Sequence, residues 1–280
     1  MKKILITGSS GYIGLHLCKL LGNSYHITGL DRVFKPQYSD KFIQQSVLEN
    51  KDVEGEYDTV IHLAGLVQVG GSFLAPMDYY RTNILGTLNM LERVNYKNFI
   101  FASTGTVITP TNPYSLSKMN AETLVKQYCE LNNKCHTIFR FYNVTGYAGY
   151  SPTNPDGLFF NLMKAVETGE FNLYGNQYDT RDGTAIRDYI HVLEICNAIK
   201  FAIDNPSCVP GAETQPLVEN LGSGQGYTVM EIIDAFKRSN YVNFNVNILP
   251  ARIGDVAVSK LENVSLYMRK MFTLDEMMKI

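Results

Sequence analysis

The sequence predicts an α/β protein: a doubly wound parallel sheet followed by a smaller C-terminal α/β domain. Three observations carry that expectation. Short apolar runs alternate with amphipathic segments through the first half of the chain, the pattern of parallel strands joined by crossover helices. A glycine-rich string stands between the first strand and the first helix. Residues 146–157 (GYAGYSPTNPDG) are rich in Gly, Pro, Tyr and Asn, which marks a loop and a change of texture.

Taken in order, KILIT at 3–7 is a compact apolar strand that stops at Gly8. Ile13, Leu17, Leu20 and Leu21 recur at helical spacing over 12–21. A second strand at 25–30 ends in Asp31, and a third spans 59–63. A long helix follows at about 76–94, then a strand at 99–102. The next helix opens near Asn112-Pro113 and runs to about 131, and a strand at 136–140 completes the first domain, 1–145. The second domain, 146–280, is expected to hold helices near 158–168, 191–204, 229–238 and 274–279, with short strands between. Part of 175–204 is expected to pack back on the first domain.

Composition narrows the function classes. An apolar share of 45% with 19% charged residues suits a large core and excludes a disordered, collagenous or coiled-coil chain. The 25 basic and 27 acidic residues nearly cancel, so no broad field recruits nucleic acid or an anionic membrane. An anionic ligand must then be held by a few local arginines. Cys18, Cys129, Cys135, Cys196 and Cys208 are scattered and form no C-x-x-C pair. They are expected to be reduced structural thiols, and no His/Cys/Asp cluster has metal-ligand spacing. The N-terminus lacks the apolar stretch of a signal peptide, and no run is long enough to span a bilayer. A cytoplasmic protein is expected.

Two motifs carry chemistry. Thr7-Gly8-Ser9-Ser10-Gly11-Tyr12-Ile13-Gly14 reads T-G-x-x-G-x-x-G, a turn that lets backbone approach a pyrophosphate seated on the helix N-terminus. Asp31 ends the second strand; a carboxylate there accepts from ribose hydroxyls and repels a 2′-phosphate, so NAD is expected over NADP. Arg32 beside it pulls the other way. The second motif is Tyr114-Ser115-Leu116-Ser117-Lys118. With 18 tyrosines, such a string arises about once by chance, so its position decides. It opens the helix after the 99–102 strand, with Ser103 and Thr104 at that strand's C-terminal end. A hydroxyl, a phenol and an ammonium converging there form a proton-transfer site, and the ammonium is expected to draw the phenol's pKa toward neutrality.

These motifs, with the stretches HLAGL (62–66), YRTNILGTL (80–88) and RFYNVTG (140–146), resemble the extended short-chain dehydrogenase/reductase family, with its Rossmann-type sheet. Three further stretches resemble its nucleotide-sugar epimerase branch: GNQYDTRDGTAIRDYIHV (175–192), NLGSGQGYTV (220–229) and RIGDV (252–256). The resemblance implies that Tyr114 is the catalytic base, Lys118 its partner, and Thr104, with Ser103, the catalytic hydroxyl. It implies cofactor contacts from Gly8, Ser10, Gly11, Tyr12, Ile13, Gly14, Asp31, Leu63, Ala64, Gly65, Asn83, Tyr114 and Lys118. Substrate contacts fall on Asn143, Asn161, Leu162, Arg187, Arg252 and Asp255. Two arginines suit a diphosphate, and a carboxylate suits sugar hydroxyls.

The implied reaction is inversion at C4 of a UDP-hexose through a 4-keto sugar, using tightly bound NAD. A decarboxylase, a 4-keto reductase and a non-catalytic dinucleotide or nucleotide-sugar binder stay open. A dehydratase needs a carboxylate pair after Thr104, where Gly105 and Thr106 stand. The family's usual lysine and glutamate are replaced at Gln68 and near Gly71, and the segments 105–113 and 146–157 are short. A homodimer is implied through the helices at about 76–94 and 113–131, where Met90, Leu91, Leu124 and Tyr128 could supply apolar contacts or serve the chain's own core. By the same resemblance Ser259 falls at the position where a bulky tyrosine excludes N-acetylated sugars, so activity on UDP-N-acetylhexosamines is expected as well.

Overall fold

The computed structural model describes residues 1–35, 38–49, 51–206, 217–252, 255–268 and 271–280. The chain divides into two compact units, Met1–Phe141 with Cys196–Glu219, and Tyr142–Ile195 with Asn220–Ile280. The segment returning to the first unit thus lies at 196–219.

In chain order the elements are β1 Lys3–Thr7, α1 Tyr12–Leu21, β2 His26–Asp31, β3 Lys41–Gln44, β4 Val53–His62, α2 Val69–Leu74 and α3 Pro76–Tyr80. A π-helical turn, Arg81–Leu85, joins α3 to α4 Gly86–Arg93, and β5 Val94–Thr104, α5 Pro113–Leu131 and β6 Cys135–Phe141 follow. Next come β7 Asn143–Thr145, α6 Leu158–Thr168, β8 Glu170–Tyr174, β9 Ile186–His191, α7 Val192–Asp204 and β10 Leu217–Leu221. The last are β11 Gly226–Thr228, α8 Val229–Asn240, β12 Asn245–Leu249, β13 Val258–Ser259 and α9 Leu274–Met278.

The main sheet runs β10-β6-β5-β4-β1-β2-β3, and β1 pairs in parallel with both β2 and β4. The strand order reverses beside β1, the crevice where such sheets bind ligands at the strands' C-terminal ends. Leu5, Val60, Phe99, Phe101 and Ile138 of the sheet pack with Met90, Leu91, Ala121 and Val125 of the helices. Met90 and Leu91 are fully buried there, so of the two roles open to them they serve the unit's own core and not a dimer contact. Leu124 is half-buried, and Tyr128 packs on the same core.

The second unit builds β11-β9-β13, with β7 also pairing β9, and a separate β12–β8 pair. Its core joins Phe159 and Leu162 of α6, Phe171 and Leu173 of β8, and Ile232, Ile233 and Phe236 of α8. A capping box, Thr228 with Glu231, starts α8.

Cys18, Cys129 and Cys196 are free and buried, whereas Cys135 is disulfide-bonded. The expectation of uniformly reduced thiols is therefore corrected, because spacing along the chain does not show what a fold brings within bonding reach. Cys208 lies outside the described residues. Among the described residues no helix is long and apolar enough to cross a membrane.

Candidate active site

At the end of β1 the chain turns at Gly8, in the left-handed region at φ +71°. A Cβ on Gly14 would stand 2.3 Å from the Gly8 carbonyl oxygen, so the turn closes on its own helix only without a side chain there. No side chain caps α1, which leaves its leading amides as donors for an anion. The Ser9 and Ser10 hydroxyls are buried with no hydrogen-bond partner. Such orphans cost free energy, and the acceptor oxygens of a dinucleotide pyrophosphate fit them. Tyr12 and Ile13 follow, half-buried, in the first turn of α1. Asp31 Oδ2 accepts from the Ser10 amide at 3.1 Å while the residue stays half-exposed, a carboxylate suited to a ribose.

The segment after β4 lies against this turn. Leu63 N–H donates to the Thr7 carbonyl at 3.1 Å, and Ala64 N–H to Thr7 Oγ1 at 3.3 Å. Gly65 follows, where a Cβ would come within 2.9 Å of Asn83 Oδ1. Asn83, in the π-helical turn, accepts from Leu66 N–H at 2.8 Å and donates to the Leu66 carbonyl at 3.0 Å and to Ser117 Oγ at 2.9 Å. Its amide is spent on holding this segment to α5. His62 bridges Thr7 Oγ1 at 2.7 Å and Thr87 Oγ1 at 3.1 Å. Burial first, and then the Lys118 charge, push it down to about 3, so it is a neutral structural bridge.

Asn112 caps α5 by accepting from Ser115 N–H at 2.9 Å, with Pro113 in the first turn. This start places Tyr114 and Lys118 one turn apart, both buried. The Tyr114 ring meets Tyr79 edge-on with centroids 6.4 Å apart, and Lys118 Nζ lies 4.2 Å from the Phe101 ring centroid. Thr104, ending β5, lies near enough to the Tyr114 phenol to favour its ionised form, and accepts from Thr106 N–H at 3.3 Å. Burial pushes the Tyr114 phenol up to about 12 against the pull of Thr104. Burial also brings Lys118 down to about 7, opposed by Glu122. The expectation of a phenol drawn toward neutrality is corrected for the protein alone: both groups are deep enough that desolvation of their charged forms dominates. The Ser103 hydroxyl is committed to Glu122 Oε1 at 2.6 Å.

In the second unit, Arg187 Nη1 donates to the carbonyls of Ile186 at 2.9 Å and Val256 at 2.8 Å. Its Nη2 stands 3.5 Å from Asp255 Oδ1. The Arg252 guanidinium lies 4.1 Å from the Tyr174 ring centroid; Ile253 and Gly254 of the same motif lie outside the described residues. Asn143 Nδ2 donates to the Asp188 carbonyl at 2.8 Å, and Asn161 Nδ2 to those of Pro155 at 2.7 Å and Gly157 at 2.9 Å. Leu162 is fully buried in the core. A cleft of about 420 Å³ is lined by residues 175–178 and 248–251.

Sequence reasoning missed Glu122, Arg140 and Tyr178. Glu122 carried a signal, since Tyr114, Lys118 and Glu122 fall at successive turns of one helix face. The Tyr178 hydroxyl is buried without a partner, within the fields of Arg187, Arg252 and Asp255. Only folding shows that.

Residues 4–214 match the NAD dependent epimerase/dehydratase family. A UDP-glucose 4-epimerase of Erwinia amylovora is 30% identical, with 99% of this chain and 95% of that protein covered. Among solved structures, the chain is similar to a UDP-glucose-4-epimerase from Stenotrophomonas maltophila with bound NAD and formylated UDP-arabinopyranose. That likeness has a TM-score of 0.85 at 26% identity, over 99% of this chain and 96% of that one. It is also similar to the UDP-Glc/GlcNAc 4-epimerase from Campylobacter jejuni, with a TM-score of 0.79 at 28% identity over 100% and 97%. On the reach of the family match and of these relatives, the chain belongs to the NAD dependent epimerase/dehydratase family.

Proposed function

We propose that the protein interconverts UDP-glucose and UDP-galactose by inverting C4 with tightly bound NAD. The observation that carries this is the buried Tyr114–Lys118 pair on α5, with Thr104 at the end of β5 beside the phenol. The glycine turn with Ser9 and Ser10 holds the pyrophosphate, Asp31 the adenosine ribose, and Lys118 the nicotinamide ribose. Bound NAD supplies a reversible hydride acceptor at C4 and, when oxidised, a positive charge. Tyr114 Oη takes the proton of the 4-hydroxyl and later returns it, while Thr104 orients that oxygen. Asn83 contributes by fixing residues 63–66 rather than by its own amide. Arg187 and Arg252 hold the diphosphate, with Asn143, Asn161 and Asp255 on the polar groups around it and Leu162 supporting from the core. Incubation of the purified protein with UDP-galactose is expected to yield UDP-glucose; no conversion with NAD present overturns the assignment.

A homodimer through the helical run 76–93 and α5 belongs to the same proposal. Met77 and Leu85 remain exposed on the first of these, although Met90 and Leu91 do not. Sedimentation velocity at micromolar concentration tests it, and a monomer there refutes it.

A further inference from the structure

Glu122 stands one turn beyond Lys118 on α5, as Lys118 stands one turn beyond Tyr114, and all three are buried. Its Oε1 accepts from Ser103 Oγ at 2.6 Å and from Arg140 Nε at 2.8 Å, and its Oε2 from Arg140 Nη2 at 2.6 Å. Ser103 and Arg140 are register partners on β5 and β6, and Thr104 is next along the strand. One carboxylate thus ties the catalytic helix to the ends of two strands. Removing two charges from water is costly, and apolar residues of the same volume often stabilise a core as well. Stability alone therefore does not account for a buried ion pair one turn from Lys118.

We infer that Glu122 is a positioning residue for the proposed reaction: held by Arg140 and Ser103, its carboxylate neutralises the Arg140 guanidinium on the side of the Lys118 ammonium and fixes the Thr104 end of β5 against α5. The inference rests on the assignment of Tyr114 as base and Lys118 as its cationic partner. The surroundings of Lys118 leave few other candidates. Tyr114 is on its own helix, with Tyr79 of α3 beyond it; the Phe101 ring is on β5. His62 of β4 is neutral, Arg140 of β6 is already paired to Glu122, and the Asn83 amide carries no charge. Glu122 is the charge that works against burial to keep the ammonium.

Glu122→Gln keeps the length and one acceptor oxygen but removes the charge. Its kcat is expected to fall, and the alkaline limb of its kcat–pH profile to move at least one pH unit lower, because Lys118 gives up its proton sooner. Glu122→Asp keeps the charge and loses reach, so its kcat should fall several-fold with the limb near that of wild type. Far-UV circular dichroism and retained NAD establish that each variant is folded. A Gln variant with the wild-type profile overturns the inference. So does an Asp variant whose limb moves, or whose kcat is unchanged, and this variant decides if the Gln variant does not fold. Tyr114→Phe in the same assay separates the two claims. Wild-type turnover there overturns the base assignment itself, whereas an inactive Phe variant beside an unmoved Gln limb overturns only the role of Glu122.

Discussion

Asp31 closes the glycine turn from the neighbouring strand, its carboxylate accepting the Ser10 amide at 3.1 Å and the Val33 amide at 3.3 Å. The group that shapes the turn is thus also the group that meets the adenosine ribose in the proposed complex. Protein denatured after purification is expected to release NAD, read by liquid chromatography of the supernatant. Asp31→Ala should retain less of it and lose at least tenfold in preference for NAD over NADP in titrations. Release of NADP from wild type contradicts the role given to the carboxylate.

Lys118 makes stability depend on pH. Burial holds it at about 7, whereas an unfolded lysine keeps its proton to about 10.4. Between those values the unfolded chain binds the extra proton, so the free energy of unfolding rises with pH. Tyr114 reverses the trend above about pH 10, where an unfolded tyrosine ionises and the buried one, at about 12, does not. Cofactor-stripped protein should therefore gain about 2 kcal/mol between pH 7 and 9 from this one lysine. Urea unfolding at both pH values, in wild type and Lys118→Met, measures it. A Met variant with the same rise assigns the effect to other groups.

The Asn83 clamp predicts a cost in stability and in cofactor binding together. Asn83→Ala leaves the part-buried Leu66 amide and carbonyl without their side-chain partner, a loss of about 1–3 kcal/mol. The segment 63–66 should loosen with it, raising the dissociation constant for NAD while the Tyr114-dependent step is retained at saturation. Unchanged unfolding midpoints in the Ala variant would falsify the clamp.

Legibility along the chain followed how local each signal was. The strand at 3–7, the glycine turn and the Tyr114–Lys118 helix were readable because their patterns lie within a few adjacent turns. β3, half-exposed, lacks a compact apolar run, and β5 begins five residues before the visible apolar stretch because Asn95, Lys97 and Asn98 interrupt it. The helix near 76–94 was legible as a helix, but its π-helical turn, which sets Asn83, was not. In the site, residue types were legible and environments were not. Ser103 passed for a free catalytic hydroxyl because its acceptor, Glu122, reaches it only after α5 folds over β5 and β6. The depth of Tyr114 and Lys118, which decides their protonation, is likewise a property of the packed sheet.

Ser259 is the register partner of Arg187, on the short strand β13 beside β9. Counting on from Arg252 and Asp255 places it where the sugar's C2 substituent lies in the family resemblance, and the pairing with Arg187 keeps it next to the proposed diphosphate site. Ser259 is half-buried, and its side chain is much smaller than a tyrosine ring. UDP-N-acetylglucosamine and UDP-N-acetylgalactosamine are therefore expected to be interconverted alongside the plain hexoses. Ser259→Tyr should cost the acetylated substrates at least a hundredfold in kcat/KM, since burying an acetamido group against a ring forces overpacking. UDP-galactose should lose less than threefold. Comparing kcat/KM for UDP-galactose and UDP-N-acetylgalactosamine in both proteins decides it. Wild type that ignores the acetylated sugar, or a tyrosine variant that treats both sugars as wild type does, shows that another side chain borders C2.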